Sequence, residues 1–256
     1  MMLGAHVPSG DPLAEATARG AGVVQVFLSN PQSWKKPAPR ADAATLRSAP
    51  IPIYVHAPYL INPVADNNRI RIPSRRILQE TCDAAAEIGA AGVVVHGGHV
   101  TGDDGDMAEA FPRWRKALEQ LDSDVTVLIE NTAGGDNAVV RRIETIRRLW
   151  DEIGELGVGY VLDSCHAWAG GEPLDELVER TVEVVGRIDL VHLNDSRDPF
   201  DSRRDRHANL GQGEIPSDDL ARIVAGVDCP IVVETPGGAS EHVADFEWIR
   251  TRISVR

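Results

Sequence analysis

Six short apolar runs in this 256-residue chain end on a residue that can bind a metal ion. IYVH ends at His56, VVVH at His96, TVLIE at Glu130, YVLD at Asp163, LVH at His192 and IVVE at Glu234. Asp, Glu and His together make up about one residue in five, so composition alone does not supply such a series. Imidazole nitrogen and carboxylate oxygen suit Zn²⁺, and the same donors accept Mn²⁺ or Fe²⁺. A carboxylate closing a buried strand is costly unless it is paired or bound to a metal. No Lys or Arg ends a neighbouring apolar run to neutralise Glu130, Asp163 and Glu234. Three carboxylates and three imidazoles in one place need positive charge, and metal ions are the simplest source.

Two polar stretches add donors. Asp163-Ser164-Cys165-His166 places Asp and His three apart where a strand enters a turn. The loop after His192 carries Asp205-Arg206-His207, and residues two apart in an extended loop point the same way. The candidate ligands are therefore His56, His96, Glu130, Asp163, His166, His192, Asp205, His207 and Glu234. Nine donors exceed the needs of one four- or five-coordinate ion; with one carboxylate shared they suit three. His6, His99 and His242 are left over. His6 ends the first apolar run and is a candidate for a supporting or substrate role. His242 reads as a surface helix residue, and Cys165 as a small core residue.

The elements that position these side chains alternate strictly. Strand candidates are Leu3–His6, Val23–Leu28, Ile53–His56, Val93–His96, Thr126–Glu130, Tyr160–Asp163, Leu190–Leu193 and Ile231–Glu234. They are short and rich in β-branched residues, as strands buried on both faces are. Helix candidates fall near 11–20, 41–48, 70–89, 107–121, 137–153, 173–187, 217–226 and 240–252. Ser74, Asp136, Glu172-Pro173 and Pro216-Ser217-Asp218 read as helix starts; Gly20, Gly89, Gly154 and Gly186 read as ends. Eight strand–helix units in about 250 residues predict an α/β fold, a (β/α)₈ barrel. We read it as a single domain over residues 1–256, with the metal site on the C-terminal face of the strands. An open doubly wound sheet is the rival, but the early turns lack GxGxxG and GxxxxGK[ST].

Composition narrows the classes further. Apolar residues are 43% and charged residues 25%, ordinary for a globular chain. No apolar run reaches the roughly 18 residues of a membrane span, and the N-terminus has no signal-peptide pattern. Three cysteines without CxxC spacing fit a reducing compartment, so a cytoplasmic location is expected. A formal charge of −13 argues against general polyanion binding; bound cations would cancel part of it locally.

At this point the chain resembles the endonuclease IV family of apurinic/apyrimidinic endonucleases, from end to end. The resemblance rests on GAHV near the start, HAPYLIN at 56–62, VVVHGGH at 93–99, ENTAGG at 130–135 and LDSCHAWAGG at 162–171. It continues in HLNDSRD at 192–198, DRHANLGQGEI at 205–215 and ETPGG at 234–238. It implies a (β/α)₈ barrel with a trinuclear zinc centre that hydrolyses DNA 5′ to abasic sites and trims blocked 3′ ends. By position it implies one ion on His56 and His96, and a second on Asp163, His192 and Glu234. Glu130 bridges the two and orients the nucleophile, and a third ion sits on His166, Asp205 and His207. The family flips the abasic nucleotide and fills the gap with loop side chains. Tyr59 and Leu60 match that wedge. Many relatives carry an inserting Arg where this chain has Gln32, a departure that weakens the implied distortion of DNA. Trp34, Lys35 and Lys36 could supply stacking and phosphate contacts. The basic run Arg203, Arg204 and Arg206 is a candidate phosphate clamp. The expected partner is double-stranded DNA containing abasic sites, with the protein acting as a monomer. Two other readings stand beside this one. A xylose-isomerase-like sugar isomerase or epimerase would use one or two ions, and a metal-bearing lesion binder would cleave little.

Overall fold

The computed structural model describes residues 1–102 and 105–253. Eight parallel strands close into a barrel: β1 Leu3–His6, β2 Val23–Phe27, β3 Ile53–His56, β4 Gly92–His96, β5 Val127–Glu130, β6 Gly159–Asp163, β7 Leu190–His192 and β10 Ile231–Val233. Their order round the barrel is the chain order, with β10 closing against β1. A small hairpin, β8 Asp195–Ser196 with antiparallel β9 His207–Ala208, stands at the mouth after β7. The helices between strands are α1 Pro12–Arg19, α2 Ala43–Arg47, α3 Asn68–Glu87, α4 Met107–Glu119, α5 Ile143–Ile153, α6 Ser164–Ala169, α7 Leu177–Val185, α8 Ser217–Gly226 and α9 Ala239–Ile253. Among the described residues no helix is long and apolar enough to cross a membrane.

Two apolar cores follow from the period-2 alternation of strands. One lies between the barrel wall and the helices and includes Val24, Val55, Val95, Ile129, Leu162 and Val191. The other is a smaller cluster of Val23, Tyr54, Val94, Leu128, Val161, Leu190 and Val232, one residue from each of seven strands, and it fills the interior. On the eighth strand Gly4 takes the matching place. A Cβ there would lie 1.8 Å from the Val23 carbonyl oxygen, so only glycine fits. Two residues further along each strand the side chain faces inward again, one layer nearer the C-terminal mouth. Those positions are His6, Gln25, His56, His96, Glu130, Asp163, His192 and Glu234.

Local sequence explains most helix boundaries, and the exceptions have physical causes. Asn67 caps α3 by accepting the Arg69 N–H at 2.9 Å. Ile77, Leu78, Thr81, Cys82 and Ala85 form its buried stripe. Ser74 is not a cap. It sits inside α3, where its Oγ accepts the Asn62 N–H and donates to the Ile70 carbonyl, fastening the HAPYLIN loop to the helix. Asp136 is not a cap either, and α5 begins at Ile143 rather than near 137. The residues before it form a loop pinned by buried Arg141, which donates to Gly170 O, Asp136 and Asp201. Where a turn was expected after β6, the chain enters α6 directly. The Asp163 side chain accepts the His166 N–H at 2.6 Å and so caps that helix.

Candidate metal centre

Five strand-end side chains, His56, His96, Asp163, His192 and Glu234, converge at the barrel mouth around Glu130, which is fully buried. Glu130 Oε1 lies 2.9 Å from His192 Nδ1 and 3.2 Å from His166 Nδ1. Its Oε2 lies 3.3 Å from His56 Nε2 and 3.4 Å from His96 Nε2. Three groups of candidate ligands have donor atoms within 4.8 Å of one another: His56, His96 and Glu130; Glu130, Asp163, His192 and Glu234; and His166, Asp205 and His207. All nine candidates are thus brought together, with Glu130 shared. A fourth grouping joins Cys165 to Asp163 and His207. Burial pushes that thiol up to about 12.

Of the last three donors, His166 lies on α6 and the other two on the segment after β7. Asp205 and His207 ride on the hairpin and its loop, which are folded around one carboxylate. Asp195 accepts the N–H groups of Ser196, Gly211, Gly213 and Ile215 at 2.8–3.0 Å. At Gly213 a Cβ would come within 2.3 Å of Ser196 O, so this wrap requires glycine.

The arrangement of hydrogens shows that the donor set fits cations. His56 Nδ1 donates to Ala57 O at 2.7 Å, and His166 Nδ1 to Asn131 O at 2.9 Å. His207 Nδ1 donates to Glu234 O at 3.2 Å. In the neutral ring each then turns an Nε2 lone pair inward. For His56 that lone pair faces Glu130 Oε2; for His166 it faces Asp205 Oδ2 at 3.1 Å. His207 Nε2 is buried without a hydrogen-bond partner, with Asp205 Oδ1 3.0 Å away and Asp163 Oδ2 3.9 Å away. Lone pairs directed at carboxylates repel unless a proton or a metal ion lies between them. Ring N–H groups held by carbonyls, with the opposite nitrogen free, are how metal-binding histidines are oriented.

Without ions, protons would fill that place, and the electrostatics of the site favour them. Burial opposes ionisation of Glu130, but His192 and His96 outweigh it and hold the carboxyl well below its usual range. Burial also opposes charging of His192, yet Glu234 and Glu130 raise it to about 9. Burial is likewise overcome at His207, where Asp205 and Asp163 raise the imidazole to about 9. A histidine raised in the fold adds stability that is complete below its unfolded value of about 6.5. That stability is lost as pH climbs through about 9. Metal-stripped protein is therefore expected to melt several degrees lower at pH 9 than at pH 6.5, at about 2–4 °C per kcal/mol for a chain of this size. Protein reloaded with zinc keeps its melting temperature across the same range. Parallel curves for the two forms in a thermal melt series would refute this.

A cleft of about 860 Å³ opens beside His96, His166 and Asp205 and runs past Trp34, Tyr59 and Leu60. Tyr59 is half-exposed, its ring 5.5 Å from His56 and 5.6 Å from His96. Its N–H donates to Pro31 O at 3.0 Å, tying the Tyr59 loop to the one bearing exposed Gln32 and Trp34. Arg206 stands beside Asp205 and His207, but its guanidinium is paired with Asp198 through an Nε–Oδ2 bond of 2.6 Å. Arg204 lies 3.5 Å from the same carboxylate, and Arg203 3.1 Å from Asp136. The basic run is thus largely neutralised within the fold. Arg197, exposed at the same mouth and with no ion pair among the described residues, was not singled out from the sequence.

Other residues behind the centre also went unnoticed. Asn194 donates to Asp163 Oδ2 at 2.7 Å and accepts the Glu234 N–H at 2.8 Å. Asn131 donates to Asp163 O, and its side-chain oxygen accepts the Asp163 N–H. Both follow a candidate ligand closely in sequence, the one signal that could have found them. His6 contacts Glu234 Oε1 at 3.1 Å, a supporting place. His242 is a correction: it is buried, not on the surface, and accepts from Arg19 Nε at 2.9 Å.

A closed (β/α)₈ barrel with imidazole and carboxylate donors at its mouth defines a metal-site barrel, and the family described as xylose isomerase-like TIM barrel matches residues 13–252. Within that class, the chain is 62% identical over 254 residues to a Mycobacterium marinum protein named probable endonuclease 4, covering 99% of this chain and 100% of that one. The crystal structure of endonuclease IV from Thermus thermophilus matches with a TM-score of 0.86 at 30% identity, with 100% of each chain covered. The chain belongs to the endonuclease IV family. A D-tagatose 3-epimerase-like protein matches with a TM-score of 0.81 over 100% of this chain and 98% of that one. At 19% identity it shares the fold alone.

Proposed function

We propose that this chain is a metal-dependent DNA repair hydrolase that cuts the phosphodiester 5′ to an abasic site and leaves a 3′-hydroxyl, with 3′-end trimming as a second activity. The observation that carries this reading is the three-part donor set at the barrel mouth, opening into a wide cleft edged by Tyr59, Leu60 and Trp34. Zinc is the proposed metal, with three ions per chain: one on His56, His96 and Glu130, one on Glu130, Asp163, His192 and Glu234, and one on His166, Asp205 and His207. When bound, such ions supply an attacking water acidified toward neutral pH and positive charge against the phosphoryl oxygens. Mn²⁺ or Fe²⁺ could take some of these positions.

The protein's own groups do the rest. Glu130, central and held ionised, is placed to orient the attacking water. Tyr59 and Leu60, which edge the cleft, would wedge into the duplex, with Gln32 and Trp34 on the adjoining loop. Arg206 and Arg197 line the mouth where phosphates would pass. We take residues 1–256 as one domain acting as a cytoplasmic monomer on abasic double-stranded DNA. Relatives named endonuclease 4 at 62% identity disfavour the sugar isomerase alternative.

The test is a labelled duplex carrying one tetrahydrofuran abasic analogue, which cannot undergo β-elimination. The expected result is a nick on its 5′ side with a 3′-hydroxyl, lost after chelation and restored by zinc. A fully metallated sample that leaves the duplex intact would overturn the reading. Tight binding of the intact duplex in that sample would point to a lesion binder instead.

A further inference from the structure

One member of the inward-facing layer is neither acid nor imidazole. Gln25, on β2, is fully buried, and a buried amide must find hydrogen-bond partners. Its partners here fix which way it points. Nε2 lies 2.7 Å from Glu234 Oε1 and 3.0 Å from His6 Nδ1. A carboxylate oxygen can only accept, so the NH₂ faces Glu234 and the amide oxygen faces away. That oxygen lies 2.9 Å from His192 Nε2. It can only accept in turn, so Nε2 of His192 carries the hydrogen and, in the neutral ring, Nδ1 keeps its lone pair. Nδ1 then faces Glu130 Oε1 at 2.9 Å and Glu234 Oε2 at 3.4 Å.

The contrast with the other histidines is informative. His56, His166 and His207 are oriented through Nδ1 by backbone carbonyls and turn Nε2 inward. His192 has no such carbonyl among the described residues. It is turned the opposite way round, and a side chain does the turning. We propose that Gln25 is a positioning residue that sets the His192 tautomer, commits Nδ1 to the group formed with Glu130, Asp163 and Glu234, and holds Glu234 in the same network. This inference rests on the metal reading of that group given above.

The test compares wild type with Gln25→Met, which is similar in length and apolar, and Gln25→Glu, which keeps an acceptor for His192 but loses the donor to Glu234. Zinc is the probe, titrated against a competing chelator. Removing a partner that orients a metal-binding histidine typically costs about 10–100-fold in affinity, and Gln25→Met is expected to release one ion that much more readily. Long-range ¹H–¹⁵N spectra of the zinc-loaded proteins read the tautomer directly. Wild type and Gln25→Glu are expected to show protonated Nε2 on His192, and Gln25→Met to lose that signature. A merely structural role would lower the melting temperature of both variants and leave the tautomer alone. Wild-type zinc affinity and an unchanged tautomer in Gln25→Met would overturn the assignment. So would a switched tautomer in Gln25→Glu, the arm that decides if the apolar variant does not fold. If wild type itself fails to hold zinc against the chelator, the metal reading falls, and this inference with it.

Discussion

Glu130→Gln is expected to lower incision of the abasic duplex by about a thousandfold or more, the equivalent of losing several kcal/mol of transition-state stabilisation. The reason lies in what surrounds the carboxylate. Its two oxygens are the meeting point of His56, His96, His166 and His192, and it alone belongs to two of the three donor groups. A neutral amide of the same size cannot bridge two cations with two anionic oxygens. It also cannot orient a water as an ionised carboxylate does. Yet the amide NH₂ can donate to the inward lone pair of His56, which the carboxylate cannot do. The metal-stripped variant is therefore expected to melt within a few degrees of the stripped parent while holding fewer ions when reloaded. Elemental analysis per chain, a thermal melt and the nicking rate check this together. Full metal content with a parental rate would refute the central place given to Glu130.

The strand ends were legible because two signals coincide there. A strand buried on both faces reads as an unbroken apolar run, so its end is marked when the run stops. In this chain the stop is a candidate metal ligand at His56, His96, Glu130, Asp163, His192 and Glu234. The barrel then follows from strict alternation of strands and helices, and the closed order of strands agrees with it. Gln25 was missed for a complementary reason. It interrupts VVQVF in the middle, and glutamine is not a metal-binding type. Its meaning comes from register: it pairs with His6 across β1 and β2 and shares the inward parity of the ligating layer.

Long-range partners account for the other differences. Asp136-Asn137 looks like a helix start locally, but Arg141 reaches residues 29 and 60 positions away and holds the segment as a loop. His242 carries no local sign that Arg19, 223 residues earlier, will donate to it. Arg203, Arg204 and Arg206 read as an uncompensated basic run. The fold supplies Asp136 and Asp198 as counter-ions, leaving Arg197 the more available cation at that edge. Charge read along a sequence says little about charge presented to a ligand when acids arrive from other loops.

His207→Ala is expected to cost one of three ions and about 10²–10³-fold in rate, the scale seen when one group stabilising transition-state charge is removed. His207 belongs to the group with the most exposed ligand, Asp205, and Glu130 is not among that group's candidate ligands. Removing one of three protein ligands leaves too few to retain an ion against dilution. The hairpin that carries His207 does not depend on its side chain. Its register is set by the backbone pairing of Ser196 with residue 207, and the following loop wraps on the Asp195 carboxylate. The variant should therefore fold, and excess zinc should recover part of the rate by mass action, which a misfolded protein would not allow. Losing His56 also leaves two ligands, but Glu130 and His96 are less exposed than Asp205 and Glu130 is shared with the neighbouring group, so its metal loss is expected to be smaller. Elemental analysis of both variants side by side decides the point. If His207→Ala retains three ions and the parental rate, the third group is not a metal site, and the reading reduces to a two-ion centre around Glu130.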